Sequence, residues 1–592
     1  MTDPLTYLQY PFTQRAIADL LLLALIAGAL GPWIVMRSLA FFAHAVGTAA
    51  FPGLVIAAAA GVPLPIGAAA GAAATTVGAG LTSGTDRNAA RTGLWLSGSL
   101  AAGAIAAGAL GSSGAAIDSA LFGSLLTLSA VDLALAGILA AGSLIAAVLG
   151  GPRWLAAGLL GRRSHAAETA LVLLVAAATI GQLAAAGALL ATTLLVLPAV
   201  ATRPWIRSVG RWQVATLLLA AAVGLGGLAL ALAADLPPGA AIAVLSGVAA
   251  GASLAATTLR PTTARALSAV AAISVVAGGC AGAKPPPTST APADEAPTVV
   301  ATTPVIASLV EAVGGARVTV RTIVPKGADP HDFEPRPSDM AAVSGSSLVF
   351  ANGGLDEWIE QVRGRAGGST RLVELIDRVP VRLEGAHDHD EAGTRDAHDH
   401  GDGPDPHWFH DPRNVAAAAK AIATELSRIA PSDARAFAAG ATRLGATARD
   451  LERAGRSCIA KLPANRRALV TDHEAFAYLA NRTGLKVVGT VIPSTSDSAT
   501  ASARHLEELA TTIEALGIPA IFPESALDPK TADALARRTG VSSDLQLDAD
   551  TLGPAGSGRE DWAGMWATNV GNIALGLSGG TVRCGLRASP PR

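Results

Sequence analysis

The stretch RALVTDHEAFAYLANRTGLKVVGTVIP, residues 467–493, runs from a short apolar segment through a helix-like segment into a second apolar segment. This alternation predicts parallel strands with helices packed on the faces of a sheet. It recurs over residues 298–584, with further strands predicted at 298–304, 318–325, 347–353 and 519–525. A helix is predicted over 431–457 between two such sets. We therefore predict a two-lobed α/β domain, with lobe 1 at about 298–430, lobe 2 at about 458–584, a long helix joining them and a cleft between them.

The chain before this region has a different composition. Up to Leu259 it contains seven acidic residues and no lysine, and it is built mainly from Ala, Leu, Gly and Val. A hydrocarbon core about 30 Å thick is crossed by about 20 apolar residues. Residues 1–260 are therefore predicted to form an all-α transmembrane bundle of nine spans, of which the seventh is short and could be re-entrant or broken. The predicted spans are 15–36, 40–60, 63–83, 92–112, 131–150, 167–185, 187–201, 213–234 and 238–258.

Arginine predicts the orientation of this bundle. Four segments carry nearly all of its positive charge, which predicts that they are cytoplasmic: 85–91, 151–165, 202–212 and 259–265. Nine passes then put the N-terminus outside and Leu259 inside. Four polar residues at membrane depth either serve transport or simply reach the interface from helix ends: His44, Asp132, Glu168 and Asp235.

A segment at 261–297 joins the two halves. ALSAVAAISVVAGGC, residues 266–280, looks like a lipoprotein signal, although the usual Leu three residues before the cysteine is missing. Lipidation and cleavage at Cys280, or an uncleaved tenth helix, both remain open. Residues 281–297 are rich in Pro, Ala and Thr, which predicts a tether leading to an exterior domain.

Four side chains of the exterior half fall where predicted strands or loops reach the cleft. His331 and His407 belong to lobe 1, and His473 and Asp550 belong to lobe 2. Three imidazoles and one carboxylate suit a tetrahedral divalent transition metal. A single histidine in such a loop is usually just a polar surface residue, but three at equivalent positions favour a metal site.

A second group of histidines lies in a tract of Asp, Gly and His at 385–403, which has too few apolar residues to form a core. We predict that it is either a low-affinity collector of metal beside the cleft or a merely solvated loop. Its histidines are His387, His389, His398 and His400.

Several motifs occur in order over residues 298–584, and there the chain resembles the cluster A-I metal-binding proteins of zinc and manganese ABC importers. They are PHDFEP, DPHWFHDP, TDHEAFAYLANRTGL, IFPESALDPKTADALARRTG and DTLGP. The resemblance implies that His331, His407, His473 and Asp550 are the ligands and that the joining helix is rigid. His410 and Glu524 lie close in sequence to these motifs, and we expect both to have supporting or structural roles rather than to be ligands.

The membrane half resembles the ABC-3-type permeases of the same importers, in RSLAFFAHAVGTAAFPGLVIA and GALLATTLLVLPAVATRPW. Many such permeases have an Asp and a Ser-His pair where His44, Gly47 and Thr48 align here, so His44 is only a candidate for the translocation path. The resemblance implies a fusion of permease and binding protein, and a permease homodimer in membrane lipid. No GxxxxGK[ST] motif is present, so a separate cytoplasmic ATP-binding subunit is expected.

The predicted function is zinc uptake by a multi-pass membrane protein whose metal-binding domain faces the extracytoplasmic side. Three imidazoles favour Zn²⁺, whereas Mn²⁺ prefers more oxygen ligands. The alternatives are a manganese importer of the same type and a membrane-anchored zinc scavenger or adhesin. A zinc hydrolase with Glu474 as base is disfavoured, because a fourth protein ligand closes the site. No basic stripe with interleaved aromatics suggests nucleic acid.

The remaining cysteines, Cys458 and Cys584, both fall in the predicted exterior domain. Because disulfides persist outside the cytosol, we predict a bond between them. The alternative is two free buried thiols.

Overall fold

The computed structural model describes residues 4–60, 62, 64–78, 92–103, 125–160, 165–258, 296–331, 333, 335–367, 370–384, 404–492, 503–527 and 529–586. The chain divides into two compact units, with the main boundary near residue 294.

The first unit is helical. Residues 92–103 are helical, and the other helices are Pro11–Met36, Ala40–Thr48, Phe51–Ala59, Leu64–Gly78, Ala130–Leu160, His165–Gly181, Leu183–Thr202, Val209–Ala234 and Pro238–Thr258. Within the described residues, five segments are long and apolar enough to cross a membrane: Pro11–Met36, Ala40–Ala57, Ala130–Ala156, Val209–Ala234 and Pro238–Thr257. The prediction of several apolar helices in this half is confirmed.

Three of the predicted spans differ in detail from the helices, although two of them, 40–60 and 131–150, overlap segments long and apolar enough to cross a membrane. The span at 40–60 is interrupted at Ala49 and Ala50, just before a helix with proline in its first turn, a position that proline favours. The seventh span is not short, because Leu183–Thr202 is a helix of 20 residues. The span at 131–150 continues to Leu160, since a helix can extend beyond the apolar layer where Ala and Leu favour it.

Small residues allow close packing in this unit. A Cβ added to Gly53 would lie 2.0 Å from the carbonyl oxygen of Gly67, so these two helices meet with their backbones in contact.

Three of the four polar residues expected at membrane depth lie near helix ends. This position agrees with the alternative that they reach the interface. Asp132 and Ser129 cap each other's backbone at the start of one helix, Glu168 pairs with Arg37 at 3.5 Å, and Asp235 ends another helix. His44 lies within the short helix Ala40–Thr48.

The second unit begins with a four-stranded parallel sheet. Its spatial order is Thr319–Thr322, Thr298–Ala301, Leu348–Ala351 and Arg371–Glu374. The residues of the third strand are all buried, which explains its continuous apolar sequence. The sequence did not predict the fourth strand or the helix Pro337–Gly345. The other helices of this lobe are Pro304–Gly314, Trp358–Ala366 and Pro412–Ile429.

The second lobe repeats the arrangement. Ala468–Thr471 and Lys486–Thr490 pair in parallel, as the opening stretch of sequence predicts. The strand expected at 519–525 is present as single parallel bridges, which join Phe522 to Thr471 and Glu524 to Leu547. The helices of this lobe are Ala477–Thr483, Ala503–Leu516, Lys530–Thr539 and Trp562–Leu577.

One 26-residue helix, Ala434–Ile459, joins the lobes, close to the predicted 431–457. Its buried face includes Phe437, Leu444 and Leu451, which belong to the common core of the unit. At its end Cys458 lies at disulfide distance from Cys584, with their Cα atoms 5.9 Å apart. The predicted two-lobed α/β fold with a joining helix is confirmed.

Candidate metal centre

The four side chains predicted as ligands converge on one point between the two lobes. One ligand atom from each of His331, His407, His473 and Asp550 lies within 4.8 Å of the other three. The Nε2 atoms of His407 and His473 are 3.4 Å apart. The carboxylate oxygens of Asp550 lie 3.3 Å from His407 Nε2, 3.4 Å from His473 Nε2 and 4.0 Å from His331 Nε2.

We call these four side chains the cage. Three of the distances match the spacing of ligand atoms around a four-coordinate ion, and they involve both carboxylate oxygens of Asp550. Ligands about 2.0–2.1 Å from a central Zn²⁺ are separated by about 3.3–3.4 Å along each tetrahedral edge. His407, His473 and Asp550 already show this spacing, and His331 stands slightly farther out. The Nε2 atom of His331 is buried and has no hydrogen-bond partner among the described residues. Because an unpaired buried nitrogen is costly, this donor set fits a cation at its centre.

A short repeated motif holds two of the histidines. Asp329 and Asp405 each stand two residues before a histidine in the sequence Asp-Pro-His, and each accepts a hydrogen bond from the backbone N–H of that histidine, at 2.8 and 2.9 Å. Asp405 also accepts from Nδ1 of His407 at 2.8 Å. On the other side, the indole of Trp358 donates to the carbonyl of Pro330, directly before His331. Neither aspartate was singled out from the sequence, although the repeated Asp-Pro-His motif could have revealed both.

Glu524 holds the third histidine. Its carboxylate accepts from His473 Nδ1 at 2.5 Å and from the backbone N–H of His473 at 3.3 Å. Because the carboxylate of Glu524 accepts this hydrogen bond, Nδ1 of His473 carries hydrogen, and Nε2 is the ring nitrogen left to face the cage. The supporting role expected for Glu524 thus has a direct geometric basis.

Burial and neighbouring charges shift the pKa values of the side chains in the cage. Burial alone would lower the pKa of His407, but the carboxylates of Asp550 and Asp405 outweigh it and raise that pKa to about 10. Despite burial, the charge and hydrogen bond of His407 hold the pKa of Asp550 well below its usual range. Burial lowers the pKa of His331 to about 4, so this ligand is neutral near pH 7. A dication that bound in the cage would therefore displace a proton from His407.

His410 lies outside the cage. Its ring is fully buried between Phe409 and Phe476, with centroid distances of 4.8 and 4.9 Å. Burial lowers the pKa of His410 to about 3, so the ring is neutral. Its backbone carbonyl accepts from the indole of Trp566 at 2.9 Å, which ties this segment to lobe 2.

Other predicted site residues are not brought to this centre. The histidines of the tract at 385–403 and Cys280 lie outside the described residues, so their roles stay predictions. His44 belongs to the helical unit, and its place on a translocation path also stays a prediction. Asp19 was not singled out from the sequence; it is fully buried in Pro11–Met36, and its carboxylate has no hydrogen-bond partner among the described residues.

Comparison with known proteins gives two family matches. Residues 299–576 match the model of the zinc-uptake complex component A, periplasmic, and residues 9–257 match the model of the ABC 3 transport family. The second family consists of ABC transporter permeases, so this part of the chain is integral to a membrane. Neither family is an enzyme family.

Individual relatives match the second half of the chain. The manganese-binding lipoprotein MntA of Halalkalibacterium halodurans is 28% identical over 310 residues, covering 52% of this chain and 96% of the relative. The zinc-binding protein TroA of Treponema pallidum is 29% identical over 294 residues, covering 49% and 91%. The solved structure of TroA aligns with a TM-score of 0.43 and 27% identity, covering 48% of this chain and 99% of that one.

Proposed function

Because the chain joins a segment of the ABC 3 transport family to a segment of the zinc-uptake component A family, we propose that it captures Zn²⁺ and delivers it to its own permease half. The two families make it a component of a metal ABC importer, which requires an ATPase partner. We further propose that the ATPase is a separate cytoplasmic subunit, that the permease half dimerises in the lipid bilayer, and that the metal-binding half faces the extracytoplasmic side.

The single observation that carries the choice of metal is the spacing of the cage. His407, His473 and Asp550 stand at about the edge length of a four-coordinate Zn²⁺ site, and three of the four ligands are imidazoles. Imidazole suits Zn²⁺, whereas Mn²⁺ prefers carboxylate, carbonyl and water oxygens. The metal is the cargo here, so capture has to be reversible.

Manganese import is the second candidate. Relatives named for manganese match as well as those named for zinc. A membrane-anchored scavenger or adhesin is less well supported, because an anchor needs only one span, whereas the permease match extends over residues 9–257.

The test is a competitive titration of the purified full chain with Zn²⁺ and Mn²⁺. We compare the wild type with His473→Ala, with a deletion of residues 385–403, and with His505→Ala as a control for loss of a histidine outside the cage. We expect one tight Zn²⁺ per chain that survives the deletion and the control substitution but is lost or greatly weakened in His473→Ala. Tight binding that disappears with the deletion would mean that the histidine tract is the site, and tighter binding of Mn²⁺ than of Zn²⁺ would favour the manganese importer.

A further inference from the structure

Two loops, one from each lobe, meet next to the cage. The backbone N–H of Gly327 donates to the hydroxyl of Thr551 at 2.8 Å. Beside this contact, Lys326 Nζ donates to the carbonyl of Glu560 at 3.1 Å. Thr551 is buried and follows the ligand Asp550 directly, whereas Gly327 lies four residues before the ligand His331. We call the hydrogen bond between Gly327 and Thr551 the latch.

On the lobe 2 side, hydrogen bonds hold the segment that carries Thr551 in place. Asp548 accepts from Arg559 Nη1 with both carboxylate oxygens at 2.8 Å and from the hydroxyl of Ser525 at 2.5 Å. The backbone N–H of Gly553 donates to the carbonyl of Arg559 at 2.8 Å, which closes the loop on itself. These contacts fix the segment that carries Asp550 and Thr551, so the Thr551 hydroxyl is presented from a preorganised position.

On the lobe 1 side, the latch acts on the ligand that is farthest out. His331 Nε2 lies 4.0 Å from Asp550, compared with 3.3 and 3.4 Å for the other two histidines. The segment from Gly327 to His331 is short, and Asp329 braces the backbone N–H of His331 within it. Moving Gly327 away from Thr551 would therefore widen the distance between His331 and Asp550.

We propose that Thr551 is a specificity-determining positioning residue, which through the latch keeps His331 near enough to Asp550 for a four-coordinate ion and disfavours ions that need more oxygen ligands. This inference rests on the proposed function. An ion such as Mn²⁺ requires additional oxygens, from water or from both oxygens of Asp550, and these fit only if the cage opens. Opening exchanges the hydrogen bond of the exposed Gly327 N–H for one with water, so the larger coordination shell loses the net contribution of one intramolecular hydrogen bond, which Zn²⁺ retains.

The experiment compares Thr551→Val, which removes the hydroxyl at nearly constant volume, with Thr551→Ser, which keeps it. The full chain is titrated with Zn²⁺ and Mn²⁺, and the rate of Zn²⁺ release is followed with a chelating dye. In Thr551→Val we expect the preference for Zn²⁺ over Mn²⁺ to fall about two- to tenfold, the equilibrium effect of one hydrogen bond, and Zn²⁺ release to accelerate. Thr551→Ser should restore both quantities.

A second variant separates this role from a general loss of stability. In the background of His331→Ala, the ligand that the latch positions is absent, so Thr551→Val should no longer change the preference between the two ions. The melting temperature of the metal-free chain should be similar in Thr551→Val and Thr551→Ser.

Two results would overturn the inference. An unchanged preference in Thr551→Val, or an equal effect with and without His331, would mean that Thr551 does not act through this ligand. Absence of tight Zn²⁺ binding in the wild type would instead refute the proposed function, so the two failures are distinguishable.

Discussion

Replacing Glu524 by glutamine tests whether the cage depends on the carboxylate behind His473. The side chain of Glu524 is buried and accepts two hydrogen bonds from His473, through Nδ1 and through the backbone N–H. Glutamine has nearly the same shape and still offers one acceptor oxygen. The substitution therefore removes the charge while keeping the packing.

The expected magnitude follows from the type of hydrogen bond that is lost. A hydrogen bond to a charged group contributes about 1.5–3 kcal/mol, compared with about 0.5–1.5 kcal/mol for a neutral one. The difference of about 1–1.5 kcal/mol corresponds to about a tenfold loss of affinity. This value lies at the lower end of the ~10- to 100-fold losses seen when the partner behind a metal-binding histidine is changed.

The assay is the competitive Zn²⁺ titration of the full chain, with Glu425→Gln as the matched control. Glu425 is also a buried carboxylate, but it pairs with Arg371 at 2.9 Å and with Arg428 at 2.6 Å, away from the cage. We expect Glu524→Gln to bind Zn²⁺ about tenfold more weakly and Glu425→Gln to bind it like the wild type. Equal affinities for Glu524→Gln and the wild type, or equal losses in both variants, would refute the reasoning.

Three further predictions concern the pH dependence of Zn²⁺ affinity, the disulfide and the buried Asp19 of the helical unit. His407 has a pKa of about 10 and is protonated in the metal-free cage, whereas His331 has a pKa of about 4 and is already neutral. Because binding then releases one proton, Zn²⁺ affinity should rise about tenfold per pH unit between about pH 6 and 8. Titrations at several pH values check this slope, and a flat profile would contradict it. Cys458→Ser should lower the free energy of unfolding of the metal-binding half by about 2–5 kcal/mol, because the disulfide between Cys458 and Cys584 closes a long loop. Chemical denaturation with and without a reductant checks this, and the reductant should not change the stability of the variant. Asp19→Asn should raise the melting temperature of the full chain, because a buried carboxylate without a hydrogen-bond partner among the described residues destabilises the fold. If this group serves transport, the variant should also lower metal uptake in cells. A lower melting temperature would mean that the carboxylate is paired.

Local sequence patterns predicted much of the architecture. The alternation of apolar and helix-like segments predicted two lobes and a joining helix, because strand and helix periods are set by residues close together in sequence. The same patterns placed His331, His407, His473 and Asp550 at the ends of predicted elements, where parallel sheets bring their ligands together. Length and apolar composition were enough to separate the helical unit from the rest.

Local patterns failed where neighbouring residues do not determine the conformation. The strand Arg371–Glu374 has few buried residues and forms only because Leu348–Ala351 offers an edge to pair with. The interruption at Ala49 and Ala50 and the continuation of another helix to Leu160 were likewise not predicted, because apolar length alone does not fix where a helix begins or ends.

The sequence by itself determined which kinds of ligand this protein offers and the elements that carry them. Only the tertiary structure decided the spacing of those ligands, the contact of Glu524 with His473 across 51 residues, and the latch between Gly327 and Thr551, 224 residues apart. The physical reason is that the chemistry of a donor atom belongs to its side chain, whereas a distance of a few ångströms between two lobes is set by the packing of their whole cores.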